Sequence, residues 1–589
     1  MLEKWTAFVL SFLLVALTVA ACQQPTPVVQ TVVEKVRETV EVTVVVTREI
    51  VGPTQEVIVT ATPVPPQRGG VFVAVAPVDP TILNPVLGTD SVSISINRFL
   101  YPSLIGQDPI TGVLTPTELV RSWDISPDGL AWTFHLRDDI FWSDGEAVNA
   151  DDVKFTFDAI ADEQVQSPLR ANVQGIASVE TPDPQTVIVT FREVVCDGLR
   201  DLAVGLLPSH LFAADFSDLA TNPQNLAPTV SAGPFLFQSW QPGEQISLLR
   251  NENYFKGAPH LDGWTLRIIP DRAERLAALQ SGAIDSLALS PAELTAVVLD
   301  PNLNIYKYRD AGYAFLALNL ADPTDPQPGL DGDGAAIPQT PHPILGDARV
   351  RQAIAHGLDV QAIIRKAYLG QGYPLAANVL PSLGWAYNET IAPYVYNPTE
   401  AQLLLAAAGW VDENGDGIRE KEGQPLGLRL FTNEDSQTRI DAGQLVAEQL
   451  AALGFSVQFQ TLPFNQLVNE LFHQQFDLAL IDWTGLGSDP NDRRLWQRSA
   501  DLPGSGFNFV SFANERVEAL LAAGLALPGC DPAQRALYYK EVQQIIHDEL
   551  PYIFVAGSVG NIGYSQRWQG IAPGPWDFDW NVEKWSRQE

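Results

Sequence analysis

The chain is short of the residues that build metal, redox and nucleic-acid chemistry. It has only three cysteines in 589 residues, and none forms a Cys-x-x-Cys pair. Its seven histidines are scattered and supply no His-x-x-x-His pair. These gaps remove the common zinc-ligand spacings, and neither a metal nor another cofactor is expected. Cations are scarce too: 36 Lys and Arg stand against 70 Asp and Glu, a formal net charge of -34. Nucleic-acid binding needs a cationic footprint, so that class is excluded. An acidic balance suits a soluble surface outside the cytoplasm. Enzyme signatures are missing as well, with no Gly-x-Ser-x-Gly, Ser-x-x-Lys, Walker loop or His-Glu-x-x-His. No catalytic residue is nominated, and the many carboxylates read as a solvated face. What the chain does have is bulk: 46% hydrophobic residues and 14 Trp, enough for a large core and more than one domain.

One long apolar run is present, Trp5 to Ala21, and it ends in Val19-Ala20-Ala21-Cys22. At about 17 residues it lies at the lower edge of what crosses a ~30 Å hydrocarbon core. Small residues followed by Cys after a short apolar segment form the pattern of a bacterial lipoprotein signal, with 1–21 removed. Cys22 then becomes the first mature residue and carries acyl chains. Two or more chains are needed, because each buried CH₂ contributes only about 0.8 kcal/mol. The mature protein is expected to be held to the cell membrane by this lipid, periplasmic or on the outer face. Of the remaining cysteines, Cys196 and Cys530 lie far apart. An oxidising compartment would permit one disulfide; two unpaired thiols are the expectation.

Residues 22–68 differ in composition from the rest. Val, Thr, Glu and Pro dominate, as in Thr39-Val40-Glu41-Val42-Thr43-Val44-Val45-Val46. Neither the strand-like alternation nor the weak helical stripe has a partner segment, and Pro53, Pro63, Pro65 and Pro66 interrupt both. A spacer is expected, with a short coiled coil as the alternative. Fully extended at ~3.3 Å per residue, it could reach on the order of 150 Å. The globular body begins near Gly69-Gly70. Strands are predicted at 71–75, 132–136, 186–191, 456–460 and 477–481. Helices are predicted from the Asn149 or Asp151 cap through Ala159, and at 436–453, 464–472, 514–526 and 532–549. This alternation is an α/β pattern in more than one lobe.

The body resembles the extracytoplasmic solute-binding proteins of ABC importers, family 5, the oligopeptide, dipeptide and nickel group. The resemblance spans roughly 69–589. Its most specific stretch runs from Ser122-Trp123-Asp124 through Phe141-Trp142-Ser143-Asp144-Gly145 to Ala150-Asp151-Asp152-Val153. Others are Ala232-Gly233-Pro234-Phe235, Arg250-Asn251-Glu252-Asn253-Tyr254, Leu279 to Asp285, Val350 to Ile354, Ala408-Gly409-Trp410 with Gly415-Asp416-Gly417, and Leu550-Pro551-Tyr552-Ile553. The resemblance implies an α/β, two-lobed periplasmic-binding-protein-like fold with a hinge. A larger lobe would span 69–324, with an inserted subdomain at 106–228. A smaller lobe would span 325–552, and 553–589 would return to the larger one. It further implies a monomer that traps a peptide or oligosaccharide and delivers it to an ABC permease and ATPase complex. A sensor lipoprotein docking on a membrane signalling receptor is the alternative.

Ligands of open α/β sheets bind beyond strand C-termini, where Asp482-Trp483-Thr484-Gly485-Leu486 lies. Family members that grip peptides place an Asp three residues after this Trp, pairing it with the free amino terminus. Here that position is Leu486. An aliphatic side chain cannot neutralise an ammonium, and burying one unpaired costs several kcal/mol. Asp482 could substitute from another direction. Trp483 and Trp385 offer flat walls for apolar side chains or sugars. Tyr313, Asn508, Asp79 and Asn84 complete the candidate ligand contacts. Asp412-Glu413-Asn414-Gly415-Asp416-Gly417 opens like a calcium loop, but its twelfth position is Gly423 instead of Glu, so a turn is expected. Asp331-Gly332-Asp333-Gly334 reads as another surface turn. For the anchor, Cys22→Ser should abolish attachment; metabolic labelling with a fatty-acid analogue should mark the parent protein and leave the Ser variant blank.

Overall fold

The computed structural model describes residues 43–45, 58–60, 67–194, 196–324, 340–502 and 504–588. It divides into two compact units, Met1–Pro66 and Gln67–Glu589. The signal segment, Cys22, most of the spacer and the turn at 331–334 lie outside the described residues. In the first unit Thr43–Val45 pairs antiparallel with Ile58–Thr60. The valine-rich stretch therefore does find a strand partner, inside the segment read as a spacer. Among the described residues no helix is long and apolar enough to cross a membrane.

In the second unit, alternating residues set the first sheet. Ala131–Leu136 buries Trp132, Phe134 and Leu136, and Thr186–Phe191 buries Val187, Val189 and Phe191. Val120–Ile125 and Ile176–Asp183 flank them in a four-stranded antiparallel sheet. Gly129 makes the turn after Val120–Ile125 with φ +77°. Helix Ala150–Ala161 is capped reciprocally: Asn149 accepts from the Asp151 N–H, and Asp152 accepts from the Asn149 N–H. Buried Asp152 also accepts from Trp142 Nε1 at 3.0 Å, Ser209 N at 2.9 Å and Ser209 Oγ at 2.7 Å. The stretch from Phe141 to Val153 is thus a folding clamp.

A second four-stranded sheet runs Phe235–Gln241, Gln245–Arg250, Gly263–Ile268, Val71–Ala76, its last pair parallel. Gly233 enters it with no room for a side chain, since a Cβ there would sit 2.1 Å from the Phe99 carbonyl oxygen. Both sheets share one core with helix Ser91–Leu100, and C-terminal Trp568 and Trp585 return to fill it. This core defines the larger lobe.

The third sheet has seven strands. Its main order is Ser286–Ala288, Tyr552–Ser565, Leu303–Leu318, Leu478–Trp483, Gly427–Asn433, Ser456–Leu462. Its central strands, Leu478–Trp483, Gly427–Asn433 and the second half of Leu303–Leu318, are buried on both faces, as burial between two helical layers requires. Leu478 and Leu480 face one core, with helices Ala348–Gly357, Pro398–Ala407 and Gln437–Ala451. Ala479 and Ile481 face another, with helices Glu515–Leu525 and Pro532–Glu549. These two cores form the smaller lobe. Leu303–Leu318 and Tyr552–Ser565 pass from one lobe to the other. Leu303 and Ile305 pack with Leu287 and Leu289, whereas residues from Tyr313 onward join the smaller lobe. Their pairing register shifts between Arg309 and Tyr313, which marks the hinge.

The expectation of two unpaired thiols is corrected. Cys196 and Cys530 form a disulfide with Cα atoms 5.3 Å apart. Distance along the chain is no obstacle once the Cys196 N–H donates to the Leu525 carbonyl at 2.9 Å and docks one loop on the other. For the clamp, Asp152→Ala should lower stability by about 3 kcal/mol, because it orphans several buried donors; chemical denaturation with an unchanged m-value checks this.

Candidate ligand-binding site

The strand Leu478–Trp483 leads into the turn 484–490, and alternation sends its last two side chains apart. Trp483 lies against the aromatic side, stacked on Phe315 with centroids 5.9 Å apart and edge-on to Phe507 at 5.8 Å. Its indole N–H is buried and directed at the buried Tyr552 hydroxyl, while the Tyr313 hydroxyl is buried with no hydrogen-bond partner among the described residues. Asp482 points the other way and accepts from Arg439 Nε at 2.9 Å. Arg439 also donates to Asn433 Oδ1 at 2.6 Å. Burial raises the Asp482 pKa, with Arg439 opposing it. Thr484 and Gly485 are exposed, and Gly485 takes φ +62° to turn the chain. Leu486 is buried, its N–H donating to the Ala311 carbonyl at the hinge.

The remaining candidates separate. Tyr313 is fully buried beside Phe315 and Phe554. Trp385 packs on Tyr539, with the Arg535 guanidinium 5.5 Å from its ring centre. Asn508 is buried and staples its own loop, donating to the Gln497 and Phe512 carbonyls and accepting from the Phe512 N–H. Asn84 is buried, donating to Asn225 Oδ1 and accepting from the Val86 N–H. Asp79 accepts from Trp240 Nε1 and the Gly243 N–H, bracing a hairpin. Trp483, Thr484, Gly485, Leu486 and Tyr313 come together at the hinge side of the smaller lobe. Asp79 and Asn84 hold larger-lobe loops, and Asn508 holds a smaller-lobe loop.

Charged residues that sequence reasoning missed build the seam between the lobes. Asp489 pairs with Arg535 at 2.7 Å, both nearly inaccessible. Arg200 reaches from the larger lobe to the turn: a Cβ at Gly487 would lie 1.9 Å from its guanidinium. Asp492 is pushed up to about 7, by burial first and then by Asp489, against Arg494 and Arg200. Asp201 is raised to about 6 by burial and Asp197, against Arg200. Arg98 bridges Asp577 and Asp579, and burial raises Asp579 to about 6. A cavity of about 290 Å³ opens beside them, lined in part by Asn97, Arg98, Tyr101, Arg200, Asp201 and Val204. Asn97 is 5% exposed, and neither amide atom has a partner among the described residues. Such an amide is a donor and acceptor awaiting a polar group. The sequence signal for this seam was the density of charge in Asp489-Pro490-Asn491-Asp492-Arg493-Arg494.

The calcium-like segment is a turn. Asp412 accepts from the Gly415 and Gly417 N–H groups and Asp416 from the Ile418 N–H. The carboxylates of Asp412, Asp416 and Glu420 converge within 4.8 Å, exposed or partly so.

These features define a two-lobed solute-binding protein. The chain belongs to the bacterial extracellular solute-binding proteins, family 5, whose middle region matches residues 116–501. It is 27% identical over 528 residues to the oligopeptide-binding protein AppA of Bacillus subtilis, covering 88% of this chain and 92% of that protein. The structure of that AppA in complex with a nonapeptide superposes with a TM-score of 0.62, at 26% identity, over 89% of this chain and 100% of the other. NikZ from Campylobacter jejuni, in complex with Ni(L-His), gives 0.64 at 26% identity, over 88% and 99%. Heme-binding protein A of Haemophilus influenzae is 29% identical over 488 residues, 78% of this chain and 82% of that protein.

The raised carboxyls predict an unusual pH profile. Asp492 keeps its proton in the folded protein to about pH 7, whereas the unfolded side chain loses it near pH ~4. The unfolded state then binds fewer protons, so stability should fall as pH rises from 4 to 7 and level off above. Asp492→Asn should remove about 2 kcal/mol of that loss. Thermal denaturation across pH 4 to 8 would show the parent losing stability more steeply than the variant.

Proposed function

We propose that the protein is the lipid-anchored receptor of an ABC importer, closing its lobes on a solute and presenting it to a permease and its ATPase. Family membership supports the solute-binding role. The contact between Arg200 of one lobe and Gly487 of the other supports closure at this seam. A solute held by both lobes stabilises the closed state by its differential affinity; in a hinge free to open, taking 1% closed to 99% needs about 5.5 kcal/mol. Docking on a signalling receptor would use the same closure.

The solute is proposed to be neutral or amine-blocked, such as an oligosaccharide or a capped peptide. The observation that carries this reading is the state of the carboxylates that flank Leu486 in the chain. Asp482 is committed to Arg439 and Asp489 to Arg535. Asp492 resists ionisation. A free ammonium at the end of the Trp483 turn would find no uncommitted carboxylate among these three. Calorimetry with a peptide library, its acetylated counterpart and an oligosaccharide panel tests this: blocked or neutral members should bind more tightly. Micromolar binding of free-amine peptides that disappears on acetylation would refute it. Trp483→Ala should weaken the bound member by roughly 1–3 kcal/mol if the indole forms a wall of the site.

A further inference from the structure

We propose that the Cys196–Cys530 disulfide is a strap across the lobe seam, restraining the hinge near its closed spacing until a dithiol reduces it. Each cysteine belongs to a different lobe. Cys196 follows the strand Thr186–Phe191 and opens the turn Gly198–Leu202, whose Leu199 and Leu202 sit in the larger-lobe core. Cys530 joins helices Glu515–Leu525 and Pro532–Glu549, whose Leu520, Leu521, Tyr539 and Val542 sit in the smaller-lobe core. The peptide chain crosses between these lobes on two paired strands, Leu303–Leu318 and Tyr552–Ser565. Two adjacent crossings form an axis and leave rotation free. The disulfide is a third covalent crossing, and neither cysteine lies on those strands.

Little slack surrounds it. Disulfide Cα atoms separate by at most about 6.8 Å, and here they stand 5.3 Å apart. The anchor points can therefore part by only about 1.5 Å before backbone must unwind. On the smaller-lobe side Gly529 and Cys530 both take positive φ, and Asp531 at once caps the next helix. A tightly wound loop of this kind has little length to release. On the larger-lobe side the Cys196 N–H is bonded to Leu525, and Gly129 abuts Pro528 and Gly529. The bond also borders a cavity of about 50 Å³ with Trp385, Ser488, Asp489 and Arg535. It therefore lies along the same seam as the ligand turn. Hinge closure in proteins of this architecture needs rotation of whole lobes. With the strap intact, rotation is confined to what these two loops permit, and solute exchange proceeds through partial opening. Reduction frees the full motion. In that step a dithiol thiolate attacks one sulfur, the protein S–S bond breaks, and the second thiol closes a new disulfide on the reagent. Two electrons and two protons pass to Cys196 and Cys530.

The experiment uses the full chain without any solute, so its outcome is independent of which ligand binds. Spin labels are attached through azide-bearing residues at exposed Glu180 and Leu403, one on each lobe. Pulsed electron-spin measurements then give the interlobe distance. The oxidised protein should show one narrow distribution. Dithiol reduction, and separately the Cys196→Ser/Cys530→Ser variant, should broaden it and lengthen its mean by several ångströms, with far-UV circular dichroism unchanged. Identical distributions in the oxidised and fully reduced protein would overturn the strap. So would alkylation mapping that finds Cys196 and Cys530 as free thiols in protein isolated from its own compartment. Reduction of the unmutated chain serves as the second route if the double variant does not fold.

Discussion

The antiparallel pairing of Leu303–Leu318 with Tyr552–Ser565 is the interaction on which the rest of the body depends. It is the longest strand pair in the described structure and the only element pair that belongs to both lobes through continuous backbone. One half is bound to Leu287 and Leu289, the other to the aromatic cluster of Phe315, Tyr552 and Phe554. Between them the ladder slips, at Asp310 to Gly312. A regular ladder resists bending, whereas a bulge concentrates twist in a few residues. The hinge thus sits where the hydrogen-bonding pattern is weakest, and Leu486 docks on Ala311 there. The turn after Trp483 is thereby physically coupled to the joint.

The two lobes spend their charge differently at the seam. Across the whole chain the excess of acids, 70 against 36 basic residues, leaves like charges repelling one another through water, a cost that solvent screens. At the seam they are crowded together and desolvated. There Asp489 and Arg535 neutralise each other, while Asp201, Asp492 and Asp579 are raised toward neutral pH. Burial favours the protonated acid even where an arginine stands beside it, as Arg98 does beside Asp579.

Much of the body could be read from the chain. Alternation placed Thr186–Phe191, and the reach from Phe464 to Phe472 was recovered as a helix. Gly454, at φ +95°, ends the helix that began after Ser436. These elements are legible because periodicity and caps are local physics. The stretch from Phe141 to Val153 announced the family, and its residues hold the fold together through Asp152. The Trp483 turn was also legible, because an apolar strand ending in Asp-Trp-Thr-Gly marks a strand terminus.

What the chain alone determined is the α/β class, an alternation spread over more than one lobe, the acidic character and the strand terminus at Trp483. These follow from composition, hydrophobic period and turn chemistry, all of which act over a few residues. Tertiary structure decided the rest. It joined Cys196 to Cys530 across 334 positions, and it spent Asp482 and Asp489 on arginines. Asn84 and Asn508 became buried staples, and unremarked Asn97 and Arg200 came to border a cavity. Each of these depends on which distant segments meet, and no local pattern encodes that, because pairing, burial and desolvation are properties of the packed lobes and not of the sequence window in which a residue sits.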